Sequence, residues 1–291
     1  MKIFKKIFQK KNNNQLTFGG HLEVLRRMLF RILGVTFVFA VIIFIFKEIV
    51  WEILLAPSKY DFITYRWIEE FIQQIGFNFT FEKYEVKLIA TDLSSQFMTH
   101  ITTSIYIACM IASPYILSEL FCFTLPALYE SERRYSIYIT ILIYVLFIIG
   151  IFMSYFIIFP ISFRFLGTYS VADTISNMIT LKSYITTFTS LTLVMGIIFQ
   201  LPILIYILAR IGIANYAVLS KYRKYALFII VIVSAAITPP DIITCILVTL
   251  PLYLLYECSI LVVKKVNKKN IIKSCIHRNQ SAISKKKIPY S

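Results

Sequence analysis

Six apolar runs order this chain, at positions 28–46, 97–121, 135–159, 188–208, 226–237 and 242–263, and each is closed by a polar or proline-bearing stretch. None shows the ten-residue alternation of barrel strands, so the runs predict helices. At about 1.5 Å of rise per residue, runs of about 20 residues reach across a hydrocarbon core of about 30 Å. The fifth run is only about 18 Å long as a helix, and it stops at Thr238-Pro239-Pro240-Asp241, where two prolines forbid continuation. The sixth carries Pro251 and Glu257, which leaves its uninterrupted apolar part short as well. The pattern predicts an all-α polytopic membrane protein with six transmembrane helices, of which helices 5 and 6 are short. Such mismatch calls for a thinned bilayer or for partner helices.

The polar stretches differ in kind. Residues 1–20 form a basic, Asn-rich tail, the membrane domain is expected over 21–263, and 264–291 is a second basic tail. Between 47 and 95 lie eight acids against five bases, with Trp51 and Trp67 flanking Pro57 as interface anchors, which predicts short helices along a membrane surface. A second long loop is expected over 160–185. The twelve residues Phe123–Arg134 (FTLPALYESERR) hold an aromatic, a proline, Glu130, Glu132 and an arginine pair between two spans.

Charge sets the topology. Of the 30 Lys and Arg, the two tails, the start of the first span (Arg26, Arg27, Arg31) and the two short turns on their side of a six-span chain hold 23, and the two long loops hold 7. The positive-inside rule therefore places both termini in the cytoplasm (N-in, C-in). A mean hydropathy of +0.74 with 58% apolar residues excludes a soluble domain. The net charge of +15 sits at the ends without an ordered aromatic platform, which reads as topology and excludes nucleic acid as partner. The bases beside the last span suit anionic membrane lipids. Five cysteines form no CxxC pair, so neither a disulfide framework nor a metal site follows. No apolar core with a small-residue cleavage site follows the first lysines, which predicts no removable signal.

Candidate chemistry is sparse. No P-loop, GxSxG, HExxH or dinucleotide glycine pattern is present, and the three histidines lie far apart, so no catalytic residue, cofactor or enzyme activity is expected. What remains is polar groups at span boundaries: Glu23, Arg26, Glu119, Glu130 and Glu132 on the basic side, and Gln200, Asp241 and Glu257 in or near the core. Such groups are functional candidates because burying them is costly. Asp241, just before the sixth run, also suits a helix N-cap. A solute transporter or channel is the alternative reading. It would need inverted repeats or charged pairs deep in the core, and no repeat relates 28–160 to 188–263. A membrane scaffold is the third.

Several blocks resemble one family. His21-Leu22-Glu23-x-Leu25-Arg26, Thr91-Asp92, FTLPALYESERR, Phe199-Gln200-Leu201-Pro202, Gly212-Ile213, Thr238-Pro239-Pro240-Asp241 and Tyr256-Glu257 are similar, in order, to segments of the TatC subunit of the twin-arginine protein translocase. The resemblance implies a cup-like arrangement of helices in the cytoplasmic (inner) membrane. Its cytoplasmic face would dock the paired arginines of signal peptides on folded cargo. It also implies an oligomeric complex with small single-span subunits (TatA- or TatB-like), driven by the proton-motive force without ATP. On that resemblance Glu132 is the arginine-reading carboxylate, with Phe123 as apolar surface beside it, and Glu23, Arg26 and Glu119 complete the signal-binding set. Pro57, Gln200, Pro239, Pro240 and Asp241 are the structural and partner-docking set. Two departures stand out. Val24 occupies the place where relatives commonly carry a second signal-binding carboxylate, leaving Glu23 or Glu119 to supply it. Gln200 stands where many relatives carry glutamate, and an amide cannot titrate.

Overall fold

The computed structural model describes residues 18–76, 88–124, 136–170, 172 and 177–286. Helix α1 (Phe18–Ile45) lies along α4 (Ser95–Thr124). Between them come α2 (Lys47–Leu55), a 3-10 turn (Ala56–Ser58), α3 (Ile63–Gln74) and a two-residue strand β1 (Leu88–Ile89). The short helices expected after position 47 are therefore present. Helix α5 (Ser136–Met153) runs through a π-turn (Ser154–Ile158) into α6 (Phe159–Thr168). Strand β2 (Ile179–Thr180) pairs in parallel with β1, Leu88 opposite Ile179, and so ties the two long loops together. Then follow α7 (Leu181–Ile198), α8 (Leu201–Ile211), α9 (Tyr216–Lys221), α10 (Arg223–Ile237) and α11 (Ile242–Lys286).

Among the described residues five stretches are long and apolar enough to cross a membrane: Leu22–Ile45, Ser95–Leu120, Ile139–Thr168, Leu181–Ile211 and Ile242–Val266. Large apolar side chains stand outward along them, Phe30, Leu33, Phe37 and Val38 on α1 among them. In water that exposure would be prohibitive; against lipid it is the expected surface. Helix α10 has 15 residues, about 22 Å of rise, and falls short of the bilayer core as the sequence suggested.

Proline placement explains where the helices depart from the sequence reading. The third span was expected to end before Pro160, yet helix continues to Thr168, so the loop expected over 160–185 is much shorter. Pro160 lacks the N–H that would bond the carbonyl of Phe156, and its ring would strike that carbonyl in a regular helix. The π-turn just before it opens the backbone there, and the Thr64 hydroxyl takes up the Phe156 carbonyl. The fourth span likewise begins at Leu181 instead of 188, capped by Thr180 Oγ1, which accepts from the Ser183 N–H at 3.2 Å. Pro202 breaks the same span at Phe199-Gln200. Gly212, at φ +90°, closes α8 in the left-handed conformation that glycine adopts without strain. At the other end of the chain α11 continues without a break to Lys286, so the backbone joins the last span to the basic tail as one helix.

The buried core centres on Phe159, Phe163, Tyr184, Phe188, Leu191, Met195 and Leu252, with Leu54 from α2 inserted. Tyrosines link it to the short helices. Tyr184 Oη donates to the Leu54 carbonyl at 2.8 Å, Tyr155 Oη to the Ile53 carbonyl at 2.8 Å, and Tyr65 Oη to the Pro160 carbonyl at 2.9 Å. The first two reach carbonyls in the last turn of α2, where the Ile53 carbonyl also accepts from the Ala56 N–H. Each tyrosine therefore sets an apolar ring against the bundle and spends its hydroxyl on a backbone carbonyl.

Candidate functional site

Glu23, Arg27 and Arg31 recur every four residues, which puts them on one stripe of α1. Glu23 forms an exposed ion pair with Arg27. Arg31 crosses to α4, where its Nη1 donates to Glu119 Oε1 at 3.2 Å, and Tyr115 Oη donates to the same oxygen at 3.0 Å. The Glu119 side chain is 20% exposed against 48% for Arg31, so the carboxylate is the enclosed partner. Val24 is half-buried while Glu23 points to the exterior. The acid one position early thus does not take over the direction in which Val24 faces, as a step of about 100° round a helix requires. Arg26 is exposed on the same helix. Phe123 lies in the last turn of α4. Glu130, Glu132, Arg133 and Arg134 lie outside the described residues.

The second set is spread over several elements. Pro57 is buried in the 3-10 turn, and its carbonyl accepts from Tyr65 Oη at 3.2 Å. Asp241 Oδ1 accepts from the Thr244 N–H at 2.6 Å, which is N-cap geometry for α11. Pro239, half-buried, borders a cavity of about 280 Å³ with Phe159, Tyr184 and Leu191, while Pro240 is exposed. Gln200 sits at the break between α7 and α8, and its Nε2 donates to the Ile143 carbonyl of α5 at 3.1 Å. Its Oε1 is buried without a hydrogen-bond partner among the described residues.

Four groups in these contacts were not singled out from sequence. Arg31 and Tyr115 complete the Glu119 cluster. At the opposite side of the bundle the same design recurs: Arg223 Nε meets Glu257 Oε1 at 3.1 Å, and Tyr253 Oη donates to that oxygen at 3.1 Å. The Tyr-x-x-x-Glu spacing, 115 to 119 and 253 to 257, was the available signal, since residues four apart meet on a helix. The arginine in each case comes from another helix, which spacing does not reveal. Glu257, read as an interruption of an apolar run, is thus neutralised in place.

The pattern of the family described as Sec-independent protein translocase protein (TatC) matches residues 20–251. The chain belongs to the TatC family. It is 34% identical over 264 residues to the Sec-independent protein translocase protein TatC of Blattabacterium sp. subsp. Periplaneta americana, covering 89% of this chain and 99% of that protein. The TatC of Helicobacter pylori strain 26695 is 37% identical over 191 residues, 66% of this chain and 75% of that protein. A solved structure, the crystal structure of the twin arginine translocase receptor TatC, superposes with a TM-score of 0.67 at 30% identity, covering 85% of this chain and 99% of that one. This TatC-family chain is therefore a multi-pass helical membrane component of the Tat translocase, and not an enzyme.

Proposed function

We propose that this chain is the receptor core of a twin-arginine translocase. It reads the paired arginines of signal peptides on folded cargo at the face that carries the start of α1 and the end of α4. The observation that carries the reading is the Arg31–Glu119–Tyr115 cluster. A guanidinium already lies on a mostly enclosed carboxylate between two helices, six residues before the segment 125–135 that contains Glu132. A guanidinium offers a planar fork that matches a carboxylate. Two adjacent arginines therefore call for two carboxylates near each other beside apolar surface. Glu132 supplies one and Phe123 the surface. Glu119 supplies the other, in preference to Glu23, which is exposed and turned away from the half-buried face of α1. Arg26 lines the approach.

The chain spans the cytoplasmic membrane six times in this account, with α10 as the short fifth span and both termini inside. Small single-span Tat subunits pack where the chain leaves apolar and polar groups unanswered. Helix α10 exposes Leu227, Phe228, Ile229, Val231 and Ile232, and Gln200 keeps a buried acceptor without a donor among the described residues, which in lipid costs free energy until a partner helix answers it. Pro57, Pro239, Pro240 and Asp241 hold the turns that set these helices. Export is then driven by the proton-motive force within an oligomeric complex, with anionic lipid around the basic ends. A photo-crosslinking residue at position 128, which leaves Glu132 in place four residues on, tests the receptor role. It should capture a peptide bearing Arg-Arg and lose it when the pair is Lys-Lys or Gln-Gln. Equal capture of all three would refute specific reading.

A further inference from the structure

We propose that Arg31 is a resident guanidinium that fills the Glu119–Tyr115 subsite in the empty receptor, and that an arginine of the signal peptide must displace it. This rests on the receptor reading above and adds an occupant to one half of its site. The contact is an incomplete one. Arg31 reaches Oε1 through Nη1 alone at 3.2 Å, and Tyr115 donates to that same oxygen. Among the described residues no hydrogen bond reaches Oε2. A guanidinium that lays two parallel N–H groups on both oxygens makes a shorter and stronger pair. An incoming arginine thus has more to gain from Glu119 than Arg31 does.

Burial points the same way. Arg31 is about half exposed while Glu119 is one-fifth exposed, so the cation can swing into water at little cost while the carboxylate stays enclosed. Its Nε already leans toward the Arg27 carbonyl at 3.4 Å on its own helix, a resting place along α1. Without Arg31 the empty site would leave a part-buried carboxylate without a counter-charge, which is unfavourable. The resident arginine stabilises the free receptor and lowers the apparent affinity for any ligand that uses Glu119.

The test is a binding titration on the full chain in lipid nanodiscs, using fluorescent peptides that carry Arg-Arg or Lys-Lys. Arg31→Gln should bind the Arg-Arg peptide about fivefold more tightly, the equivalent of a partly exposed ion pair removed from the competition. Arg31→Lys keeps the charge, loses the fork, and should shift affinity the same way by about twofold, which serves if Arg31→Gln does not fold. On a Glu119→Gln background the Arg31 substitutions should change nothing. Unchanged or weaker binding by both Arg31 variants would overturn the proposal, as would a gain that persists without Glu119. If the unaltered chain binds both peptides equally, the receptor reading fails and the proposal falls with it, a result distinct from the other two.

Discussion

Helices α5 and α7 touch through two glycines, and that seam gives the sharpest structural prediction. A Cβ added at Gly150 would lie 2.9 Å from the Met195 carbonyl oxygen and 3.0 Å from the Gly196 Cα. One added at Gly196 would lie 2.6 and 2.8 Å from the Phe147 ring atoms Cε2 and Cζ. Ordinary carbon–carbon contact is about 3.5–4.0 Å, so alanine demands about half an ångström of movement at Gly150 and close to an ångström at Gly196. For Gly150→Ala the obstacle is chiefly backbone, with the Phe199 ring carbon Cγ also at 3.0 Å, and the two helices must part. For Gly196→Ala it is a ring, but Phe147 is only 1% exposed and has nowhere to retreat. Overpacking of this kind costs about 1–3 kcal/mol, more than the roughly 1 kcal/mol that alanine gains over glycine in a helix. Gly150→Ala belongs at the upper end. Its apparent unfolding midpoint in detergent should fall by about 4–8 °C, at about 2–4 °C per kcal/mol for a chain of this size. Phe147→Leu should relieve Gly196→Ala in a double-mutant cycle and leave Gly150→Ala unrelieved. A Gly150→Ala protein that melts with or above the parent would refute the close approach, and equal relief of both by Phe147→Leu would refute the assignment of obstacles.

Other outcomes follow from single contacts. Tyr184→Phe strands the buried Leu54 carbonyl at the end of α2 and should cost about 1–2 kcal/mol, read as a lowered unfolding midpoint. Asp241→Ala should cost about 1 kcal/mol through loss of the α11 cap while Asp241→Asn, still an acceptor, costs less; equal loss would mean the cap is not what Asp241 supplies. Glu119→Gln should weaken crosslinking of an Arg-Arg peptide more than Glu23→Gln does, and the reverse order would move the second carboxylate to Glu23. With the native cysteines replaced by serine, Lys59→Cys in spheroplasts should react with a membrane-impermeant maleimide and Lys221→Cys should not, which tests the orientation.

Periodicity made the spans legible because lipid demands long apolar stretches, and residues 97–121 and 242–263 lie inside helices that merely extend beyond them. It misjudged Pro160. A proline reads as a stop, yet here a π-turn and the Thr64 hydroxyl absorb its missing N–H, and the compensating group lies 92 positions away. The reach of α11 to Lys286 was hidden for another reason, since apolarity marks where a helix leaves the membrane and not where it ends. In the candidate site Glu119 was visible as an acid at a span boundary. Its partner was not, because Arg31 comes from a helix 88 positions back in the chain. The family blocks drew attention to Val24 as a missing acid; the half-buried Val24 beside an exposed Glu23 shows that the acid one position earlier faces another way.

The most direct measurement reconstitutes the full chain into liposomes and asks which folded cargo it retains. A fluorescent protein carrying an Arg-Arg signal should co-sediment with these proteoliposomes and be released by excess free Arg-Arg peptide, while the Lys-Lys form stays in solution. Retention of both forms alike, or of neither, would contradict the account.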